Sequence, residues 1–169
     1  MIETKRLILR ELNASDAKSL FELNADLEVL KYTGDTPFAS IEAANSFLKN
    51  YSDYQQNGFG RWAVIKKSTD EFLGWSGLKR NEQGLIDLGF RFHQRHWGNG
   101  YGTESARACL EYGFNTLELH QIIGRASKDN IASVRILEKI GMSFWKTDVC
   151  KGIPNAAYYR INKPEFNNF

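Results

Sequence analysis

Cysteine is scarce in this chain of 169 residues, and the two that it has, Cys109 and Cys150, exclude a disulfide framework. The formal net charge is only +2, which excludes the strong field expected of a protein that binds nucleic acid or a membrane surface directly. The chain has no run of about 18 apolar residues that could cross a membrane, and no signal-peptide core follows Met1. We therefore expect a cytoplasmic protein.

Internal repeats, low-complexity segments and linker-like stretches are also absent from the sequence. Hydrophobic residues make up 42% of the chain and charged residues 25%, as in an ordinary globular domain. A chain of this length can bury one good core. The sequence thus predicts a single domain over residues 1–169.

Hydrophobic periodicity predicts about seven strands and four main helices. The strands are expected at 7–9, 61–67, 72–78, 85–92, 121–127, 142–149 and 156–162. Helices are expected after the N-cap Asn13, over 40–57, over 103–116 and over 130–141. This order predicts a mixed α/β (α+β) domain whose sheet is mainly antiparallel, with one strand–helix–strand crossover.

Three glycines alternate with other residues in the run Gly98-Asn99-Gly100-Tyr101-Gly102, between a predicted strand and a predicted helix. A glycine-rich loop at a helix start directs unpaired N–H groups and the helix dipole at one point, which favours phosphate. No lysine follows the glycines, so the loop is not that of a phosphate-binding NTPase. The G-x-G-x-G spacing also differs from the dinucleotide fingerprint G-x-G-x-x-G. The loop therefore predicts a pyrophosphate site of another kind.

The strand predicted at 85–92 alternates apolar residues with Asp87, Gly89 and Arg91. One face therefore belongs to the core, while the other carries a carboxylate, a gap and a cation. A glycine inside a strand indicates a bulge or a close backbone approach. A salt bridge from Asp87 to Arg91 or Arg61 is the structural explanation of this carboxylate.

A capped helix is predicted from Asn130, its N-cap, to Gly141, its stop signal. Ser133 is harder to explain by structure alone, because alanine suits a helix better.

The cysteine of the third long helix and two histidines near the loop are weaker candidates for a functional role. Cys109 lies on the apolar face of its helix and is expected to be a core residue. His93 and His96 lack further clustered ligands, so we expect no metal site.

These segments resemble the GNAT superfamily of N-acetyltransferases. Residues 95–100, Arg-His-Trp-Gly-Asn-Gly, fit its acyl-CoA loop pattern Gln/Arg-x-x-Gly-x-Gly/Ala. The longer run to Glu104 and the opening Thr-Lys-Arg-Leu-Ile-Leu-Arg at 4–10 resemble the Rim branch (RimJ/RimL-type), typified by acetyltransferases of ribosomal-protein N-termini. Residues 130–142 resemble the second CoA-facing segment of the superfamily, with Met142 in place of phenylalanine.

The resemblance implies the GNAT fold, in which the fourth and fifth strands splay apart and acetyl-CoA lies in the gap. It implies acetyl-CoA as co-substrate, an amine acceptor as the other partner, and no metal. A monomer and a homodimer both stay open. The residues that it assigns to acetyl-CoA binding are Phe90, Arg91, Phe92, Arg95, Gly98, Asn99, Gly100, Tyr101, Gly102, Thr103, Asn130 and Ser133.

The resemblance also implies direct attack of an amine on the thioester, with a strand N–H stabilising the oxyanion. Asp87 is then the first candidate for the base, acting through water. Asp148 is a second carboxylate, close to where the Rim branch carries a glutamate. Ser133 matches the serine that would protonate the leaving thiolate, and Tyr158 or Tyr159 are alternatives for that acid.

The acceptor is expected to be an easily deprotonated amine, because the candidate bases are aspartates, which accept protons weakly. A protein or peptide N-terminal α-amine is the simplest case. Two other hypotheses stay open. The chain could acetylate a small amine, such as a polyamine, amino acid or antibiotic, or it could be an acyl-CoA-binding module without catalytic activity.

Overall fold

The computed structural model describes residues 1–168. Eight strands form a single sheet, one more than expected from the sequence. They are β1 (Ile2–Glu3), β2 (Leu7–Glu11), β3 (Arg61–Lys66), β4 (Glu71–Arg80), β5 (Ile86–Phe92), β6 (Gln121–Ser127), β7 (Ser143–Cys150) and β8 (Ile153–Asn162). The α-helices are α1 (Ala17–Ala25), α2 (Leu27–Leu30), α3 (Ile41–Lys49), α4 (Asp53–Asn57), α5 (Tyr101–Asn115), α6 (Ile131–Lys139) and α7 (Lys163–Asn167).

The strand order is β1-β2-β3-β4-β5-β6-β8-β7. Among the described strands only β5 and β6 pair in parallel, because α5 connects them as a crossover helix. This pairing is short: it joins Asp87 to Ile123 and Leu88 to Gly124 and then ends, although each strand has seven residues. Past Leu88 the two strands therefore separate, which opens the sheet at its middle.

Helices cover both faces of the sheet. On one face Trp62, Leu88 and Phe92 belong to the main core, together with residues of α5 and α6. On the other face Ala63 and Ile65 pack with residues of α1 and α3 in a second cluster. Side chains alternate along a strand, so these two clusters lie on opposite faces of the sheet. The opening between β5 and β6 is therefore flanked by α1 and α3 on one face and by α5 and α6 on the other.

One predicted helix is two helices in the structure. Ser40 caps α3 by accepting the N–H of Ala43, as the sequence indicates. The chain then leaves the helix before Asp53, and the intervening Tyr51 hydroxyl accepts the backbone N–H of Arg61. This bond ties the break between α3 and α4 to the start of β3. Three further short elements, β1, α2 and α7, are too brief for periodicity to reveal.

Candidate active site

A cavity of about 670 Å³ lies where β5 and β6 separate. Leu88 and Gly89 of β5, Arg125 and Ala126 of β6, and Ser133 of α6 are among its lining residues. Its far side is closed by residues of α1, α3 and the connection between α2 and α3. The cavity therefore joins the parallel-strand opening to the α1–α3 face of the sheet.

Asp87 is buried in this cavity and bound by an arginine that the sequence did not single out. Nε and Nη2 of Arg125 donate to Oδ2 of Asp87 at 2.9 and 2.6 Å, and Nη1 donates to Glu82 at 2.7 Å. The alternatives expected from the sequence, Arg61 and Arg91, do not pair with this carboxylate. Burial opposes the charge on Arg125, but the facing Asp87 and Glu82 outweigh it and raise the pKa of Arg125.

Arg61 lies against Gly89, the first residue of β5 beyond the β6 pairing. A Cβ at Gly89 would clash with Nη1 of Arg61, so this glycine marks the close approach of a guanidinium rather than a bulge. Nη1 donates to the carbonyl oxygens of Gly77 at 2.7 Å and Asp87 at 3.3 Å. Burial lowers the pKa of Arg61, and the nearby charge of Asp87 opposes this shift.

Asn130 and Ser133 lie at the start of α6, and both line the cavity. Oδ1 of Asn130 accepts the N–H of Ser133 at 3.2 Å, which confirms the N-cap. The Oγ of Ser133 has no hydrogen-bond partner among residues 1–168. The structure thus brings Asp87 and Ser133 to one cavity and leaves the serine hydroxyl available to a ligand.

The glycine-rich loop ends in the left-handed residue Gly100 (φ 79°), the N-cap of α5. Gly98 is also left-handed, with φ 76°. The N–H groups of residues 98–103 have no acceptor within the described chain, as expected for an anion site. Gly102 permits contact with α6, since a Cβ there would be 2.8 Å from Cδ1 of Ile136. The loop therefore abuts the helix that carries Ser133.

The opening segment of the chain holds this loop in place. Thr4 donates to Oε1 of Glu104 at 2.6 Å, and Nε of Arg6 donates to Oε2 of the same carboxylate at 2.6 Å. Nη1 of Arg6 reaches the carbonyl oxygen of Asn99 at 3.0 Å, and its guanidinium lies 4.6 Å from the ring centre of Tyr101. The sequence indicated a strand here, but this tether depends on tertiary contacts that periodicity cannot reveal.

Several candidates lie away from the cavity. Arg95 donates to Glu71, with 58% of its side chain exposed. Asp148 pairs with Lys146 at 2.7 Å and does not line the cavity. Phe92 is buried in the main core, whereas Phe90 and Arg91 reach the cavity. The remaining candidates are the loop residues 98–103, which lie outside the cavity lining.

Both tyrosines proposed as alternative acids have partners elsewhere. The hydroxyl of Tyr158 donates to the carbonyl oxygen of Val149 at 2.8 Å, and that of Tyr159 bonds to Glu138 at 3.1 Å. Cys109 is a core residue, as predicted, and burial raises the pKa of its thiol to about 12. No group of three potential metal ligands, and no helix able to span a membrane, occurs among residues 1–168.

Residues 6–143 match the family model described as the acetyltransferase (GNAT) domain. This chain belongs to the GNAT family of N-acetyltransferases. The structure has the fold that the resemblance implied. Its sheet is mixed, and the two parallel strands separate beside the glycine-rich loop. GNAT enzymes take the acetyl group from acetyl-CoA, and the unpaired loop N–H groups fit its pyrophosphate.

Relatives of this GNAT chain agree with the assignment. It is 33% identical to the uncharacterised N-acetyltransferase YnaD of Bacillus subtilis, over 98% of this chain and 99% of that one. A GNAT-family acetyltransferase from Bacillus anthracis has a crystal structure with a TM-score of 0.80 and 27% identity, covering 96% and 98% of the two chains. Spermidine N-acetyltransferase from Vibrio cholerae, solved with CoA and spermine, shares the fold at 19% identity and a TM-score of 0.81, over 98% and 100%.

Proposed function

We propose that this N-acetyltransferase transfers the acetyl group of acetyl-CoA to the α-amine of a protein or peptide N-terminus, as in the Rim branch that its loop resembles. Residues 1–169 would then form one catalytic domain in the cytoplasm. The observation that carries the proposal is the composition of the cavity. Among residues 1–168 it has no histidine in its lining, and its buried carboxylate, Asp87, is bound by Arg125.

This composition favours an amine that loses its proton easily. An α-amine has a pKa near ~8, so about 10% is neutral at pH 7, against about 0.04% of a lysine side chain with a pKa near ~10.4. Attack requires the neutral amine. A cavity without a histidine base therefore suits the α-amine better than the ε-amine.

The residues that line the cavity have distinct proposed roles. Asp87 accepts the amine proton through water, while a backbone N–H of β5 beyond Leu88 stabilises the developing oxyanion. Ser133 supplies a proton to the leaving sulfur. The loop residues and Asn130 hold the co-substrate, so that both reactants are positioned at the opening of the sheet.

Matched peptides that differ only in which amine is free test the acceptor class. We expect kcat/KM for the free α-amine peptide to exceed that for the ε-amine peptide by at least about tenfold at pH 7, in line with the difference in neutral amine. Release of free thiol from acetyl-CoA measures the rate. A clear preference for the ε-amine, or for spermidine over both peptides, would contradict the proposed acceptor.

Replacement of Ser133 by alanine separates two roles for its unpaired hydroxyl. If the hydroxyl protonates the leaving thiolate, kcat should fall while the affinity for acetyl-CoA stays nearly constant. Alanine suits the helix, and the N-cap bond uses the backbone of residue 133, so the fold should persist. Steady-state measurement of kcat and of the KM for acetyl-CoA distinguishes this role from cofactor binding. A raised KM for acetyl-CoA at constant kcat would assign Ser133 to cofactor binding instead.

A further inference from the structure

The cavity carries more positive charge than its carboxylates can balance. Among residues 1–168, its lining contains six cationic side chains and three carboxylates. The cations are Arg61, Lys79, Arg80, Arg91, Arg125 and Lys151, and the carboxylates are Asp35, Glu82 and Asp87.

All three carboxylates are already bound by cations of the same cavity. Arg125 pairs with both Glu82 and Asp87. Arg91 and Lys151 both pair with Asp35. None of the three is left to attract a cationic acceptor, which argues against a polyamine.

Arg61, Lys79 and Arg80 form no ion pair within residues 1–168, although each lines the cavity. Nε and Nη2 of Arg61 have no acceptor in this part of the chain. Its guanidinium lies close to the backbone of Gly89 and to the ring of Trp75, whose centre is 4.9 Å from Cζ. A positioned guanidinium with unused N–H groups is a ready partner for a carboxylate.

These cations lie on the side of the opening that faces α1 and α3. Trp62, the neighbour of Arg61, contacts Tyr112 of α5, so Arg61 faces the opposite side of the sheet, toward α1 and α3. Lys79 lies across from Asp87 in the β4–β5 register, on that same side. The glycine-rich loop, by contrast, starts α5. The charge excess is therefore positioned for the acceptor rather than for the pyrophosphate.

We propose that the acceptor carries a carboxylate close to its reactive amine, and that Arg61, assisted by Lys79, binds this carboxylate. This inference rests on the proposed function, since it names the acceptor class for the same site. The carboxylate can come from an acidic side chain at the start of a peptide or from the α-carboxylate of a free amino acid. The two sources share this chemistry, and separate arms of the test distinguish them.

The test compares acceptors that differ only in the carboxylate. One pair is a peptide beginning Ser-Asp and its Ser-Asn counterpart, and the other is serine and serinamide. We expect wild-type kcat/KM, expressed per neutral amine, to favour the acidic member of at least one pair by about tenfold or more, the effect of a hydrogen bond between charged groups. The pair that shows the preference identifies the source of the carboxylate.

Three variants link this preference to the cavity. Arg61→Gln should reduce the ratio between acidic and neutral acceptors to about one, and Lys79→Gln should reduce it about two- to threefold. Lys49→Gln removes an exposed cation outside the cavity and should leave the ratio unchanged. Because the ratio compares two substrates on one enzyme, differences in amine pKa cancel between variants. Lys79 is exposed and makes no hydrogen bond in residues 1–168, so its variant tests the proposal even if Arg61→Gln does not fold.

Three results would overturn the proposal. The first is a wild-type ratio near one in both pairs, or a preference for spermidine. The second is an Arg61→Gln variant that slows acidic and neutral acceptors equally, or that raises only the KM for acetyl-CoA. In these cases transfer to amines would still support the proposed N-acetyltransferase activity. The third result, no transfer to any amine by a protein that binds acetyl-CoA, would overturn both.

Discussion

Asp87→Asn is expected to slow acetyl transfer by about 10²-fold at pH 7, within the usual range for loss of a general base. The deficit should shrink as the pH rises from 7 toward 9, because solvent then supplies more of the neutral α-amine. The measurement is kcat/KM against pH for wild type and variant, with the α-amine peptide as acceptor. Asparagine keeps the shape of the side chain but removes the charge that faces Arg125.

Arg125 makes a control necessary for this experiment, because breaking a buried ion pair also destabilises the fold. The side chains of Arg125 and Asp87 are only 7% and 8% exposed. Arg125→Gln removes the same ion pair but keeps the carboxylate, so its pH profile should run parallel to that of the wild type. Thermal melts establish that both variants are folded. Equal, pH-independent losses in the two variants would make Asp87 a positioning partner of Arg125.

Gly100→Val is expected to weaken acetyl-CoA binding at least tenfold, about 1.4 kcal/mol. Gly100 has φ 79°, a left-handed conformation that a β-branched residue resists. Its Cβ position is also 3.4 Å from Nη2 of Arg6, which holds the loop. Valine should therefore displace the N–H groups that face the pyrophosphate. Calorimetric titration with acetyl-CoA measures the change.

The matched control is Gly58→Val, in the turn after α4. Gly58 has φ 76°, and no atom of residues 1–168 lies within 4 Å of its Cβ position, so valine there brings the same backbone strain without touching the loop. Its affinity for acetyl-CoA should stay at the wild-type value. Unchanged affinity in Gly100→Val, or equal losses in both variants, would reject the loop as the pyrophosphate site.

Local patterns predicted the elements around the site well. β6 spans Gln121–Ser127, as predicted, because its apolar run has clear limits. The alternation in β5 also held. Of the two alternatives open for Gly89, the structure shows no bulge in the β4–β5 register and a close approach of Arg61 to its backbone. The same position could have directed attention to a large side chain on β3, which lies two strands away from β5 in the sheet.

The ion-pair partners of the charged residues could not be predicted from local sequence patterns. Asp87 and Arg125 are 38 residues apart and meet because Asp87 pairs with Ile123 in the parallel register. Several arginines of this chain lie on predicted strands and could pair with Asp87. Only the register between the strands decides which of them does. Asp148 is a second case in which sequence position did not predict the contact. Its place after the last long helix indicated a carboxylate of the active site, but the carboxylate pairs with Lys146 on its own strand.

The tether formed by Thr4 and Arg6 on Glu104 joins segments that are 100 and 98 residues apart in the chain. Attachment of the first strands and order in the loop are thus coupled through these contacts, which add to the pairing of β2 with β3. By thermodynamic linkage, a ligand that binds the ordered loop also stabilises the attached N-terminal strands, by the coupling free energy between the loop and those strands. Acetyl-CoA should consequently slow hydrogen exchange at the backbone amides of β2, a strand that it need not touch.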